Sequence, residues 1–394
     1  MDTHGVTPAR RSHLGTNDQY PKGKQAMEIL DTDHIEMFVG DARQAAHQLC
    51  ATYGFHVYGH GGPETGLTGQ RSVLLGQRDI RILLTSGLSG EHRASRYVAR
   101  HGDGVAVIAF GCTDVEAAFG EAVAAGATPI QPPQRLEHGG SIVVTAEVSG
   151  FGDVTHRLVQ RTPGDGQFLP GAIDMSAAAD VLAAGPTDAD LLHTIDHAAI
   201  CLQAGELDPT VQYYERVFGF SMIFQEYIEV GEQGMQSKVV QSPSGGVTFT
   251  LIQPDLSRRA GQIDDFLSWH EGAGVQHIAY STHDIVTAVR AYSAKGVEFA
   301  QTPASYYDML EPRLGEVDVP VDQLRPLGIL VDRDHWGQMY QIFAKSTHIR
   351  RTYFLELIDR HGARTFGTSN IPALYAAKER ELAAVRDTTD GLRS

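Results

Sequence analysis

Two stretches of this chain repeat one another, and the repetition decides the fold. Residues 31–39, DTDHIEMFV, resemble residues 194–202, TIDHAAICL. Each stretch is followed by a helix-like segment that ends in a Gly-Phe pair, at Gly54-Phe55 and at Gly219-Phe220. Glycine readily takes the left-handed conformation that closes a helix, so both pairs indicate a helix C-terminus.

A second pair of repeats lies further along each half. Residues 101–110, HGDGVAVIAF, match residues 270–280, HEGAGVQHIAY, with one residue of slack. Both run into a helix that we expect an aspartate to cap, Asp114 in the first half and Asp284 in the second. The order strand, helix, strands therefore occurs twice per half. Four such modules predict an α+β chain built from tandem βαβββ units.

Three polar residues in apolar, strand-like runs form a candidate metal site. They are His197 in TIDHAAI, His277 in GVQHIAY and Glu356 in YFLELI. The two histidines occupy matching positions of successive modules, so a pseudo-twofold axis can bring them together. A carboxylate inside an apolar strand is costly unless it is paired or coordinating. Two imidazoles and one carboxylate suit non-haem Fe(II), which must leave open positions for a substrate and O₂.

The duplication provides an internal test of this metal hypothesis. His34 aligns with His197, so the first half keeps one imidazole. Val107 aligns with His277, and the strand THRLVQ at residues 155–160 holds no carboxylate. One remaining ligand cannot hold a metal well. We therefore expect the first half to be a scaffold and the second half to be active.

Composition limits the classes of function. The chain has 394 residues, of which 42% are hydrophobic and 20% charged, as in ordinary globular proteins. Its net charge of −16 argues against a nucleic acid or an anionic membrane as partner. The three cysteines, Cys50, Cys112 and Cys201, are odd in number and widely spaced, which favours a reducing cytoplasm. No apolar run is long enough to predict a membrane span.

The sequence also suggests how the chain is divided. Residues 1–26 are polar and aperiodic, which predicts a disordered leader. Residues 27–165 would form the N-terminal scaffold domain. A Gly-, Ala-, Asp- and Pro-rich linker at 166–190 would join it to a catalytic domain at 191–394. An amphipathic pattern predicts a C-terminal helix over about 370–385.

Five motifs, in this order, carry a resemblance to a known family. They are GVQHIA (274–279), TPASYYD (302–308), ILVDRD (329–334), QIF (341–343) and FGTSNI (366–371). Together with the duplication they resemble the vicinal-oxygen-chelate superfamily. Within it they are similar to the family formed by 4-hydroxyphenylpyruvate dioxygenase and its sister enzyme 4-hydroxymandelate synthase. The resemblance implies a glyoxalase-like fold with two open β-barrel domains and a C-terminal helix that acts as a lid over the metal.

The resemblance also implies an activity. One Fe(II) per chain would be held by His197, His277 and Glu356, with O₂ as co-substrate. An aromatic 2-oxo acid, 4-hydroxyphenylpyruvate, would bind the iron through its carboxylate and keto oxygens and lose CO₂. Hydroxylation of the ring would give homogentisate, and hydroxylation of the benzylic carbon would give 4-hydroxymandelate. A homodimer is left open.

Two departures from the dioxygenase pattern favour the benzylic product. Dioxygenases usually carry Asn-Phe where this chain has Asn370-Ile371, and Pro-x-Asn-Glu-Pro where it has TLIQP at 250–254. The smaller Ile371 leaves room for the ring to turn, and a displacement of about 1 Å changes which carbon reacts. By the resemblance, Gln341 and Asn370 orient the substrate and Phe366 forms an aromatic wall. The residues implied in the substrate pocket are Ser237, Thr250, Gln341, Phe366 and Ile371.

Three other readings stay open at this point. The chain could be the dioxygenase itself, which product identity would decide. It could be a metal-free small-molecule binding protein of the same fold, which the retained triad speaks against. A glyoxalase-like isomerase or an extradiol ring-cleaving enzyme is disfavoured by the QIF and FGTSNI stretches.

Overall fold

The chain folds into two eight-stranded sheets, one from each half. The computed structural model describes residues 27–162, 166–367, 369, 370 and 373. The strands of the first sheet are β1 (Ile29–Phe38), β2 (His56–Gly61), β3 (Gln70–Gln77), β4 (Ile80–Gly87), β5 (Gly104–Cys112), β6 (Pro129–His138), β7 (Ser141–Ser149) and β8 (Thr155–Arg161). Those of the second are β9 (Ile195–Cys201), β10 (Ser221–Val230), β11 (Gln233–Gln241), β12 (Thr248–Pro254), β13 (Gly274–Ser281), β14 (Leu330–Arg333), β15 (Gln338–Phe343) and β16 (Phe354–His361).

The two sheets have the same topology. Their strand orders are β2-β3-β4-β1-β5-β8-β7-β6 and β10-β11-β12-β9-β13-β16-β15-β14, which match position by position. In each sheet the first strands of the two modules pair antiparallel at the centre, and each also pairs in parallel with the last strand of its own module. The predicted tandem βαβββ architecture is therefore confirmed, and each sheet curls into a half-open barrel.

Helices lie between the strands, and one follows the first strand of each module, as predicted. They are α1 (Ala42–Tyr53), α2 (Arg93–His101), α3 (Val115–Ala124), α4 (Ala179–Ala184), α5 (Leu207–Phe218), α6 (Gln262–His270), α7 (Ile285–Ala294), α8 (Ala304–Asp308), α9 (Leu310–Leu314) and α10 (Val321–Leu324). Asp114 and Asp284 cap α3 and α7, as their sequence positions predict. Gly54 and Gly219 end α1 and α5 with φ of 76° and 68°, in the left-handed region. Both Gly-Phe predictions are thus confirmed at the backbone.

An aromatic cluster joins the two halves. His156 of β8 is fully buried and stacks on Phe110 of β5 and Phe249 of β12, with ring centroids 4.5 and 5.9 Å apart. Its Nε2 lies 2.8 Å from the hydroxyl of Tyr214 on α5. Burial of several aromatic rings in one contact strongly favours a fixed arrangement of the two sheets.

The remaining predicted segments are described only in part. The predicted leader, residues 1–26, lies outside the described residues. In the predicted linker, Asp174 forms a backbone bridge with His60 of β2, and α4 follows. Of the predicted C-terminal helix, Asn370 and Ala373 are described, and both are helical. No helix within the described ranges is long and apolar enough to cross a membrane.

Candidate metal centre

Strand register brings His197, His277 and Glu356 together. Ala279 of β13 pairs with His197 of β9 on one side and with Glu356 of β16 on the other. Residues directly opposite one another share a face of the sheet, and His277, two residues from Ala279, shares it too. Three neighbouring strands therefore present the three side chains to one point.

The three side chains are close enough to hold one ion. Glu356 Oε2 lies 3.4 Å from His197 Nε2 and 3.1 Å from His277 Nε2. One ligand atom from each residue falls within 4.8 Å of the others, and the exposed fractions are 4%, 8% and 2%. A buried carboxylate beside two imidazole nitrogens is the donor set that non-haem Fe(II) uses, so the residues fit such an ion.

A carboxylate behind His197 fixes the direction of its ring. Asp196 Oδ1 lies 2.8 Å from His197 Nδ1, and Arg360 binds both oxygens of Asp196 at 2.7 and 2.8 Å. With its Nδ1 proton held by this aspartate, the imidazole keeps Nε2 free and directed at the site. This arrangement is the usual outer support of a metal-bound histidine.

His277 is held differently. Its Nδ1 is buried and has no hydrogen-bond partner within the described residues. The ring instead stacks on Phe354, with centroids 5.0 Å apart, and meets Phe343 edge-on at 5.7 Å. Aromatic packing therefore takes over the orienting role that Asp196 plays for His197.

The pKa shifts of the triad favour the binding of a cation. Burial opposes ionisation of Glu356, but the two histidines outweigh it and lower the pKa of this carboxyl to about 2. Burial would lower the pKa of His197, but Asp196 and Glu356 raise it to about 9. For His277 burial prevails, and its pKa is lowered. The Glu356 carboxylate and the neutral His277 imidazole are thus available as ligands. A metal would displace the proton from the His197 imidazole.

A cavity of about 1250 Å³ opens in front of the triad. The site residues predicted from the sequence that line it are Ser237, Thr250, Gln341, Phe366 and Asn370. Phe366 meets the His197 ring edge-on at 5.2 Å, so its side chain borders the cavity beside the triad. Ile371 lies outside the described residues.

Several polar atoms in this cavity have no partner within the described chain. They include Thr250 Oγ1, Gln341 Oε1 and Asn370 Nδ2, each buried. Gly367, with φ of +76°, lets the Gln341 amide approach closely, since a Cβ there would lie 2.5 Å from Gln341 Nε2. Unpaired buried polar groups are costly, which indicates a polar ligand.

Two donors fix the orientation of Asn370. The Tyr306 hydroxyl donates to Asn370 Oδ1 at 2.7 Å, and Arg313 Nη2 donates to the same oxygen at 3.1 Å. Because both donors require the oxygen on their side, the amide NH₂ is left as the unpaired end. Asn370 therefore offers a donor to a ligand in the cavity.

The first half places a cation where the second half places a carboxylate. Ala109 pairs with His34 on one side and Arg157 on the other, just as Ala279 pairs with His197 and Glu356. Arg157 Nη1 lies 3.2 Å from His34 Nε2. A guanidinium stays protonated and cannot coordinate a metal, so a metal is excluded from this position.

Sequence reasoning missed the residues that support this geometry. The Asp-His pair occurs in both repeats, and Asp33 binds Arg161 at 2.6 and 2.7 Å as Asp196 binds Arg360. Two signals were available in the sequence. One is the aspartate that precedes the histidine in both repeats, and the other is an arginine four residues after Arg157 and four residues after Glu356. Glu226, which also lines the cavity, carried no such signal.

Comparison with known proteins agrees with this fold. A model described as the glyoxalase/bleomycin resistance protein/dioxygenase superfamily matches residues 194–309, and a second model with that description matches residues 33–144. A 4-hydroxyphenylpyruvate dioxygenase from Yarrowia lipolytica is 33% identical over 92% of this chain and 96% of its own. One from Dictyostelium discoideum is 34% identical over 89% and 97%.

A solved structure extends the comparison. A triple mutant of 4-hydroxymandelate synthase from Streptomyces coelicolor superposes with a TM-score of 0.81 and 42% identity, over 90% of this chain and 99% of that one. The fold and the His-His-Glu site thus define a member of the glyoxalase/bleomycin resistance protein/dioxygenase superfamily. Within it the chain belongs to the 4-hydroxyphenylpyruvate dioxygenase family, whose members are Fe(II)-dependent dioxygenases.

Proposed function

We propose that this protein is a 4-hydroxymandelate synthase that uses one Fe(II) in its C-terminal barrel. His197, His277 and Glu356 would hold the iron. The observation that carries the proposal is the 42% identity with a 4-hydroxymandelate synthase variant along nearly the whole of both chains. The dioxygenases compared above are 33% and 34% identical.

The substrate would be 4-hydroxyphenylpyruvate, bound with its 2-oxo acid at the metal and its ring in the cavity. The bound iron supplies the redox chemistry with O₂. The net reaction converts 4-hydroxyphenylpyruvate and O₂ into 4-hydroxymandelate and CO₂. The C–C bond to the carboxylate breaks, the former keto carbon becomes the new carboxylate with one oxygen atom of O₂, and the benzylic carbon is hydroxylated with the other.

The chain's own residues would set the pose of the substrate. Phe366 closes the cavity beside His197, with its ring centroid 5.2 Å from that imidazole. Gln341 and Asn370 bring unpaired polar atoms to the same cavity. Polar groups fixed before the substrate arrives select one orientation at little entropic cost, and the reacting carbon must be placed to within about 1 Å.

A second candidate is the dioxygenase that gives homogentisate. The similarity to the 4-hydroxyphenylpyruvate dioxygenases of Yarrowia and Dictyostelium favours it. Homogentisate and 4-hydroxymandelate are isomers, so mass alone does not separate them. A metal-free binding protein of the same fold is the candidate from another class, and stoichiometric Fe(II) binding would exclude it.

Chromatographic identification of the product decides among these candidates. Purified protein would be loaded with Fe(II) and incubated with 4-hydroxyphenylpyruvate and O₂, with authentic 4-hydroxymandelate and homogentisate as standards. We expect 4-hydroxymandelate with one CO₂ released per O₂ consumed. Homogentisate as the sole product would replace the synthase by the dioxygenase, and no turnover with iron bound would refute both.

A further inference from the structure

One carboxyl group in the cavity belongs neither to the metal site nor to an ion pair of the described residues. The cavity is lined by three acidic residues, Glu226, Glu298 and Glu356. Glu356 belongs to the triad, and Glu298 is ion-paired with Lys345 Nζ at 2.9 Å. Glu226, within the part of the chain that the structure describes, has neither a hydrogen-bond nor an ion-pair partner.

The strand register directs Glu226 into the cavity. Glu226 of β10 pairs with Ser237 of β11, and Ser237 pairs with Ile252 of β12. All three line the cavity, as does Ile228, two residues further along β10. Side chains two apart on a strand share a face, so the inward direction of Glu226 follows from the pleat.

The position of Glu226 is distant from the triad but faces it. β10 is the outermost strand, separated from β9 by β11 and β12. Three inter-strand spacings of about 4.8 Å separate the two strands. The register row of Glu226 and Ser237 reaches β9 at Cys201, four residues from His197, so Glu226 lies at the part of the shared cavity remote from the metal ligands.

The environment of Glu226 calls for a hydrogen-bonding ligand. Ile228 beside it is buried, and Asp332 of β14 lies close enough across the barrel opening to act on its charge. Burial, with a smaller contribution from Asp332, raises the pKa of Glu226 to about 7. A half-buried carboxyl group in this state can accept a hydrogen bond from a hydroxyl in the cavity or donate one to it.

We propose that Glu226 is a specificity-determining residue that binds the para-hydroxyl group of the aromatic substrate. This proposal rests on the proposed function, which supplies an aryl 2-oxo acid anchored at the metal. With the 2-oxo acid at the triad, the para position is the end of the substrate that points away from it. A site that pairs a substrate hydroxyl discriminates strongly against the analogue that lacks it.

The test compares two substrates that differ only in this hydroxyl. Steady-state kcat/KM would be measured for 4-hydroxyphenylpyruvate and phenylpyruvate with the iron-loaded wild-type protein, Glu226→Gln and Glu226→Leu. Glu229→Gln is the matched control, since Glu229 is an exposed acid on the same strand, paired with Arg258. Turnover of phenylpyruvate reports whether each variant is folded and holds iron.

We expect Glu226→Leu to lower kcat/KM for 4-hydroxyphenylpyruvate at least tenfold while leaving phenylpyruvate within about twofold. Glu226→Gln, which can still hydrogen-bond, should fall between, and Glu229→Gln should match the wild type. Equal losses on both substrates, or an unchanged ratio, would overturn the assignment. A wild-type protein that turns over neither substrate would overturn the proposed function, and this assignment with it.

Discussion

Arg157 and Glu356 occupy the same register position in the two halves of the chain. Each lies opposite an alanine of the central strand, and each faces the Nε2 of a histidine, at 3.2 Å for Arg157 and 3.4 Å for Glu356. Arg157 also pairs with the buried carboxylates of Glu36 at 2.7 Å and Glu147 at 3.2 Å. In the first half, the side chain of Arg157 thus supplies a positive charge at this place. In the second half, the triad offers a site where a metal ion would supply it.

The ligand assignment predicts the effect of removing any one member of the triad. His197→Ala, His277→Ala and Glu356→Ala should each lose Fe(II) and turnover, because two remaining ligands hold the ion poorly. Metal analysis and O₂ consumption measure both. His34→Ala, at the matching place in the first half, should keep one iron per chain. Iron retained at full stoichiometry with full activity in Glu356→Ala would refute the assignment.

The charge network of the first half predicts a stability effect. Arg157→Met would leave Glu36 and Glu147, exposed by 3% and 0%, without their shared cation, although Arg93 still pairs with Glu147 at 2.7 Å. Breaking a buried ion pair on one side costs about 3–5 kcal/mol, so urea denaturation should show a loss of roughly that size. None of the three proposed iron ligands lies in the first half, so iron should still bind to the folded protein.

An exposed arginine provides the control for Arg157. Arg135 pairs with Glu137 at 3.1 Å, and both side chains are 56% exposed. Exposed pairs contribute about 0–1 kcal/mol, so Arg135→Met should change stability by less than that. Equal losses in the free energy of unfolding for the two substitutions would contradict the view that the buried ion pairs of Arg157 stabilise the first half.

The contact between the halves predicts a dependence of stability on pH. His156 donates from Nδ1 to the Ile108 carbonyl at 3.2 Å and accepts at Nε2 from the Tyr214 hydroxyl, which requires a neutral ring. Burial lowers its pKa to about 4, below the unfolded value near 6.5. As the pH falls through this interval the unfolded state binds the proton first, so stability present above about pH 6.5 is lost towards pH 4, by about 3 kcal/mol.

Urea denaturation at pH 7.5 and pH 5 measures the part of this loss that falls above pH 5, about 2 kcal/mol. His156→Gln keeps a side chain that can both donate and accept but does not titrate, so its stability should vary less over the same interval. A variant with the wild-type pH dependence would show that other groups account for the effect.

The sequence predicted the modules and the triad for identifiable physical reasons. Capping aspartates and closing glycines mark helix ends locally, and the repeats mark which strands correspond. His197, His277 and Glu356 were visible because polar residues in apolar strands are unusual. The assignment of Arg157 to the place of Glu356 depends on pairing between β5 and β8, which no local pattern contains.

Glu226 was invisible for a related reason. The strand SMIFQEYIEV holds two acids, Glu226 and Glu229, and the sequence does not say which faces inward. Only the pairing of Glu226 with Ser237 places it in the cavity. The network that holds Asn370 likewise involves two short helices, α8 and α9, that have no counterpart in the first half.

That network predicts that one of two adjacent tyrosines controls the direction of the Asn370 amide. Tyr306 and Tyr307 are both buried, and each hydroxyl lies 3.0 Å from a backbone carbonyl oxygen, of Val331 and Ile329 respectively. Only Tyr306 also binds Asn370 Oδ1. In Tyr306→Phe the amide keeps Arg313 as its single fixed donor partner and can turn, so its NH₂ is no longer directed at the cavity.

Turnover kinetics separate this role from a structural one. Tyr306→Phe should reduce kcat several-fold with iron binding unchanged, while Tyr307→Phe, which loses a neighbouring buried hydroxyl, should keep kcat near the wild-type value. Tyr306→Phe should also lose more stability than Tyr307→Phe, because the Tyr306 hydroxyl accepts hydrogen bonds from Val331 N and Arg313 Nη2 as well. Product analysis adds a second readout, since a loosened amide should let the substrate ring sample both poses and raise the share of the minor isomer. If the two variants lose kcat equally, Tyr306 acts through packing alone and the orientation of Asn370 does not depend on its hydroxyl.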